Sequence, residues 1–203
     1  MNDEARLYSP AAARNREPIF QVLERHLPQR GLVLEIASGS GEHIVHFARN
    51  SEPGLTFQPS DPDPSACASI DAWSAALGLS NVRPAVALNA ELSDWPLSHV
   101  DAVLCINMIH IAPWTATIGL MRGAAQLLPS GCMLYLYGPF RRTGEHTALS
   151  NEQFDQDLRK RNSAWGVRDI EEVEALAAAY GFAPPVIEEM PANNLSLIFR
   201  KRS

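Results

Sequence analysis

The sequence predicts an α/β fold: a doubly wound, mostly parallel seven-stranded sheet that ends in an antiparallel hairpin. Three observations carry this. Short apolar runs alternate with helix-period segments five times between residues 31 and 138. Such alternation builds βαβ units, whose right-handed crossovers cover both faces of a parallel sheet. The last two apolar runs, "PVIEEM" and "NLSLIFRK", are joined only by "PANN", a connection too short for a crossover, so they pair antiparallel. Finally, 203 residues with 46% apolar and 20% charged side chains suit one domain, 1–203, around a single sizeable core.

The elements follow in order. Ile19, Phe20, Val22, Leu23 and Leu27 recur at helical spacing over 10–27, and Pro28 and Gly31 end that helix, so 1–28 reads as an N-terminal helical cap. "GLVLEIA" (31–37) is apolar throughout but for one acid, as in a central parallel strand. A helix over 41–50 and a strand over 55–61 follow, then a helix over 62–79 opened by Asp-Pro signals and closed at Gly78. The third strand, 82–89, contains Pro84 and is placed at an edge. The fourth strand (100–107), a helix from Pro113 to Leu128 and the fifth strand (132–138) complete the alternation. Residues 139–168 break the rhythm as a polar insertion shaped to act as a lid, with a helix over 151–161 started by a capping box at Ser150–Gln153. A last helix, Asp169–Tyr180, precedes the hairpin, where Asn193 and Asn194 suit a type I′ turn.

The net charge of −6 argues against general nucleic-acid or anionic-membrane binding. No run approaches the ~20 apolar residues of a membrane span. Cys67, Cys105 and Cys132 lack zinc or disulfide spacing, so no metal is expected. The polar, acidic start "MNDEARLYSP" is unlike a signal or transit peptide, and a reducing cytoplasmic location is the expectation.

Ligands in doubly wound sheets bind beyond the carboxyl ends of the strands, which directs attention to "VLEIASGSGEH" (33–43). A dinucleotide loop needs G-x-G-x-x-G, but the third position is Glu42 counted from Ala37 and Ile44 counted from Gly39. A phosphate-binding Walker loop needs Gly-Lys-Ser/Thr, and no lysine precedes Lys160. Glu42 also opposes an anion at the helix N-terminus. What remains is an acid, Glu35, followed by Ala37, Ser38, Gly39 and Gly41, a loop suited to a cationic, ribose-bearing ligand without a pyrophosphate. S-adenosyl-L-methionine has that chemistry. Asp61, 20 residues after Gly41, stands where a carboxylate accepts from both ribose hydroxyls. Two structural alternatives stay open: Asp61 as the cap of the 62–78 helix, and Glu35 as a core carboxylate paired with an arginine.

On these residues the chain resembles the class I S-adenosylmethionine-dependent methyltransferases over nearly all of 10–201. "EIASGSG" is similar to their acid-x-Gly-x-Gly-x-Gly loop, with Ala37 at the first glycine, a change tolerable if that residue keeps an ordinary negative φ. The resemblance implies a Rossmann-like methyltransferase fold and a ribose-binding Asp61. It also implies adenine contacts at Asn89 and Ala90, or alternatively Asp94, and methionine contacts at Ile106 and Asn107. "CINMIHIAPW", "LYGPF", "SNEQFD", "WGVRD" and "MPANNLSLIF" resemble more narrowly the methyltransferase-like protein 26 type.

For the acceptor side, the expected catalytic residues are His110 as a general base, Tyr137 to orient the acceptor, and Asn107. Arg14, Asn15, Trp114, Phe140, Asn193 and Asn194 are the expected substrate contacts, and Tyr8, Arg141, Arg142, Asn151, Phe154, Trp165 and Arg168 are further rim candidates. The expected reaction is methyl transfer to a small-molecule or protein acceptor, with S-adenosyl-L-homocysteine as product. A cofactor-binding or interaction module without catalysis is one alternative, and a nicotinamide oxidoreductase a distant one.

Overall fold

The computed structural model describes residues 5–203, so the first four residues of the expected cap lie outside the described residues. The elements are α1 (Pro10–Leu23), β1 (Arg30–Ile36), α2 (Glu42–Asn50), β2 (Gly54–Asp61), α3 (Pro64–Leu77), β3 (Val86–Ala87), β4 (Ala102–Ile106), α4 (Trp114–Leu127) and β5 (Met133–Gly138). After these come β6 (Phe140–Arg142), β7 (Glu145–His146), α5 (Leu149–Arg161), β8 (Arg168–Asp169), α6 (Ile170–Ala179), β9 (Val186–Met190) and β10 (Asn194–Arg200). Seven strands form the main sheet in the order β3-β2-β1-β4-β5-β10-β9, parallel up to β5, with β10 antiparallel to both its neighbours. The chain moves outward from β1 to β3 and then returns through β4, so strand order reverses between β1 and β4. That is where a doubly wound sheet opens a crevice at its carboxyl edge. Among the described residues no helix is long and apolar enough to cross a membrane.

The pleat of β1 sorts its side chains between two cores. Val33 joins Phe20, Phe47, Phe57 and Tyr135 under α1–α3, while Leu34 and Ile36 join Leu120, Val173 and Phe199 under α4 and α6. Glu35 follows Val33 onto the α1–α3 face and is therefore carried into an apolar layer by strand period alone.

The structure corrects several expectations. α1 ends at Leu23, although Leu27 still packs on the core. The third strand shrinks to two residues plus one bridge from Val82 to Phe57, and it sits at the sheet edge as Pro84 suggested. The capping box fails: Ala148 holds the N-cap of α5, and Ser150 lies inside the first turn. The insertion folds as a second, three-stranded sheet in the order β7-β6-β8, with α5 between β7 and β8. The final hairpin turns at Ala192 and Asn193, both at φ 59°, while Asn194 is extended and pairs with Met190. Pro191, whose ring holds φ negative, lies next to the turn and makes the connection three residues long instead of two.

Candidate functional site

Most of the expected cofactor residues meet at the carboxyl edge around the switch point. The loop after β1 alternates backbone hands: Ala37, Gly39 and Gly41 lie at φ 55°, 57° and 88°. This corrects the expectation that Ala37 is an ordinary negative-φ residue. The loop needs the left-handed conformation at all three positions, and Ala37 adopts it against the preference of its Cβ. At the second and third positions the missing side chain serves different ends. A Cβ on Gly41 would lie 2.8 Å from the Ile70 backbone of α3, whereas a Cβ on Gly39 would meet nothing within 4 Å and would extend into open space above the loop.

Asp61 ends β2 and is buried. Its two oxygens each accept one backbone N–H, from Gly39 at 2.9 Å and from Asp63 at 2.9 Å. The helix-cap alternative is settled by Asp63, whose carboxylate accepts from Ser65 N–H at the start of α3. Asp61 is left with an unused lone pair on each oxygen, directed by the chain's own loop. Ser38 and Ser60 tie the two strand ends together: Ser38 N–H donates to Ser60 O, Ser60 N–H to Ser38 Oγ, and Ser60 Oγ to Glu35 O at 2.7 Å.

Glu35 is 1% exposed, and its Oε2 has no hydrogen-bond partner. Among the described residues no ion pair to Glu35 is found, which speaks against the core-ion-pair alternative. Burial raises its carboxyl to about 8, against a hydrogen bond from Ser38 and with further upward pressure from Asp61. A buried acid with an unmet oxygen beside a second acid is costly to ionise, and its surroundings hold it neutral. Glu42 behaves differently. Its buried carboxylate accepts from Ser9 N–H and Ser40 Oγ, and so pins the start of α1 to the loop. Leu7 adds two bonds to α3, from its N–H to Ser69 Oγ and from Trp73 Nε1 to its carbonyl.

Asn89 is exposed at the rim and its side chain accepts from Glu91 N–H, but Ala90 is buried with its carbonyl pressed against Gly119 of α4. Asp94, the alternative, is exposed. Ile106 and Asn107 close β4. Asn107 is left-handed (φ 62°), its N–H donates to Tyr137 O, and its carbonyl accepts from His110 N–H.

The acceptor-side residues divide. Asn15 of α1 accepts from His43 Nε2 at 2.8 Å and hydrogen-bonds the Tyr137 phenol. Burial lowers His43 to about 4, so it stays neutral, and burial raises the Tyr137 phenol, so it stays protonated. His43 was not among the expected residues; its signal was its place one residue after the loop. Arg14 is exposed, and Trp114 is half-buried under the Arg168 guanidinium, 5.5 Å from the ring centre.

Three expectations need correction. His110 has no exposed surface in this conformation. Its ring lies against Gly138 and edge-on to Phe140, its Nδ1 accepts weakly from Arg168 N–H at 3.4 Å, and Nε2 is unpartnered. Burial, then the Arg168 charge, lowers it to about 3, so it is an enclosed neutral imidazole and not a base open to an acceptor. Phe140 is fully buried in the core and cannot touch a substrate from there. The side chain and carbonyl of Asn193 engage Ser150 and Asn151 of α5, and Asn194 bonds back to Pro191 and Ala192, so both serve the hairpin and its junction with the insertion.

A groove of ≈ 380 Å³ lined by Phe20, Leu27 and Leu55 opens at the amino edge, the opposite end of the sheet from these residues. Ser51, whose buried Oγ has no hydrogen-bond partner, also lines it.

The fold is that of the Rossmann-like methyltransferases. An O-methyltransferase family protein from Burkholderia thailandensis superposes with a TM-score of 0.81 over 95% of this chain at 18% identity. The mitomycin 7-O-methyltransferase MmcR does so with 0.77 over 94% at 15% identity. This chain spans 58% and 55% of the length of those two proteins. The YcgJ protein of Bacillus subtilis matches over 94% of this chain and 99% of its own, with a TM-score of 0.70 and 14% identity. Within that fold, the chain belongs to the family described as protein of unknown function (DUF938), whose model matches residues 6–201.

Proposed function

We propose that this protein is a cytoplasmic methyltransferase of the methyltransferase-like protein 26 type. In this reading it moves a methyl group from S-adenosyl-L-methionine to a small-molecule or protein acceptor. The observation that carries the reading is the pair of acids at the switch point: Glu35, buried with an unmet oxygen, and Asp61, held by two backbone donors with a lone pair free on each oxygen. The first suits the cationic methionine end and the second the two ribose hydroxyls. Gly39 leaves its side of the loop open for close approach, and Asn89 and Asn107 flank the site from the ends of neighbouring strands. When bound, the cofactor supplies an electrophilic methyl on a sulfonium.

The chain's own part is alignment and exclusion of water. Tyr137, protonated and held by Asn15, presents a hydrogen-bond donor and not a base. With His110 enclosed, the arrangement suits an acceptor that is nucleophilic without help at neutral pH. The insertion over 139–168 is the lid in this reading, with Trp114, Phe154 and Arg14 at the rim.

Calorimetric titration with S-adenosylhomocysteine tests the reading; a folded sample that gives no binding at millimolar ligand sinks it. Asp61→Ala should weaken binding by ~1.5–3 kcal/mol, the scale of hydrogen bonds to charged groups. An unchanged affinity removes Asp61 from the site. The enclosure of His110 also favours a second reading, a cofactor-binding module that transfers nothing. Label transfer from methyl-labelled cofactor into a cell extract separates the two.

A further inference from the structure

We propose that residues 5–9 form a strap that gates the crevice at the switch point: it swings off α3 about Ser9 to let a ligand in or out, and latches again behind it. This rests on the reading of the crevice as the S-adenosylmethionine site and adds what limits exchange there.

The side chains at the strand ends are enclosed. Ser38, Asp61 and Tyr137 are all buried, so a segment has to move before a ligand the size of a nucleoside reaches them. The neighbouring segments are held firmly. Gly41 lies against the Ile70 backbone with no room for a Cβ, and the Ser38–Ser60 bonds fix the loop to β2. The insertion is clamped by Arg168, and α1 is anchored in the core by Ile19, Phe20, Val22 and Leu23.

The strap before α1 is held differently. Leu7 N–H donates to Ser69 Oγ at 2.8 Å, and Leu7 O accepts from Trp73 Nε1 at 3.0 Å. Tyr8 meets Trp73 edge-on with ring centres 5.2 Å apart, and the Arg6 guanidinium lies 4.6 Å from the centre of the same ring. The Leu7 and Tyr8 residues are 45% and 66% exposed, so lifting the strap uncovers little apolar surface. Ser9 is the N-cap of α1, and its N–H bond to Glu42 marks the hinge.

The latch is joined to the loop that borders the crevice. Ser69 Oγ, which takes the Leu7 N–H, gives its own proton to Ser40 O at 2.7 Å. Ser40 Oγ donates to Glu42, which holds Ser9. Ser40 stands between Gly39, whose outer side is open, and Gly41, so the closed strap and the shape of the loop depend on the same bonds. A gate has a kinetic signature. The same latch closes over the empty and the occupied crevice, so weakening it speeds entry and departure by one factor and leaves affinity nearly unchanged.

The experiment is surface plasmon resonance with S-adenosylhomocysteine on the immobilised full chain and on Trp73→Phe, which keeps a ring for Tyr8 but loses the donor to Leu7 O. The association and dissociation rates should rise together, about fivefold for one lost hydrogen bond, with Kd within about twofold of the parent. Amide hydrogen exchange by NMR is the second measurement. In the free protein the Leu7 amide should exchange far faster than that of Leu23 in α1, and S-adenosylhomocysteine should slow it at least tenfold. If Trp73→Phe does not fold, the exchange of the unaltered protein still decides. A change in the dissociation rate alone would make Trp73 or the strap a ligand contact and not a gate. Unchanged rates, or a Leu7 amide as protected as Leu23 without ligand, also overturn this inference, and each of these results leaves the cofactor reading standing. Absence of any binding overturns the cofactor reading and this inference with it.

Discussion

Ala37 occupies a backbone conformation that its loop requires and its side chain resists. The alternation of left-handed φ at 37, 39 and 41 is what brings Gly39 N–H onto Asp61 and returns Gly41 N–H to Ser38 O. An L-residue with a Cβ gives up about 1–2 kcal/mol in that conformation. Glycine escapes that cost but loses roughly 0.4–1 kcal/mol more than alanine in chain entropy on folding. Ala37→Gly should therefore raise stability by about 0.5–1 kcal/mol in urea unfolding. Ala37→Val, β-branched, should lower it by roughly 1–3 kcal/mol, the scale of a strained non-glycine residue. If Ala37→Gly is the destabilising change, the left-handed assignment at this residue is wrong. From sequence alone the position looked permissive, because a motif shows which residue types stand in a loop and not which hand each backbone takes.

At the scale of elements, one arginine forks across the junction between the insertion and the loop after β4. The guanidinium of Arg168 donates to Ile109 O, Ala112 O and Ala164 O, and its backbone N–H meets the His110 ring. Gly166 N–H donates to His110 O, and Asp155 of α5 accepts from Val167 N–H and Arg159. The loop after β4 and the segment before β8 are thus stitched together over His110, which is why that histidine is enclosed. Removing the fork leaves three carbonyls to find water, and each lost charged hydrogen bond is worth ~1.5–3 kcal/mol, less than additively. Arg168→Ala should cost about 3 kcal/mol and open the insertion to trypsin near Arg159–Arg161 before the sheet unfolds. Arg168→Lys should recover little, since an ammonium cannot span three acceptors in a plane. Equal protease resistance in the variant and the parent protein would show that the clamp does not hold the insertion.

For the molecule as a whole, the order of strands and helices was legible because strand and helix periods leave different patterns in apolar residues. That Glu35 and Asp61 lie near the carboxyl ends of β1 and β2 was legible because each acid ends or nearly ends an apolar run. The environments were not legible. Sequence spacing put His110 and Phe140 on the rim, but Phe140 opens β6 with its ring in the core and the segment leading into β8 closes over His110, and no local pattern encodes that long-range closure. The same burial sets the pH response of the fold. His43 and His110 are lowered by burial to about 4 and about 3, so below pH 6.5 the unfolded chain binds more protons than the native one, and stability falls as pH falls. Glu35, raised to about 8 from 4.5, acts with the opposite sign: between those values the native state binds more protons, and stability falls as pH rises. Each group contributes at most about 1.4 kcal/mol per pH unit. The histidines, His46 among them since burial lowers it too, outweigh the one carboxyl from pH 5 to about 6.5, and the carboxyl outweighs them as pH approaches 8. The thermal midpoint without ligand should therefore peak near pH 6.5 and decline on both sides. In Glu35→Gln the decline above 6.5 should vanish while the acid limb remains. A midpoint that climbs steadily from pH 6.5 to 8 in the unaltered protein would mean that Glu35 is ionised in the native state.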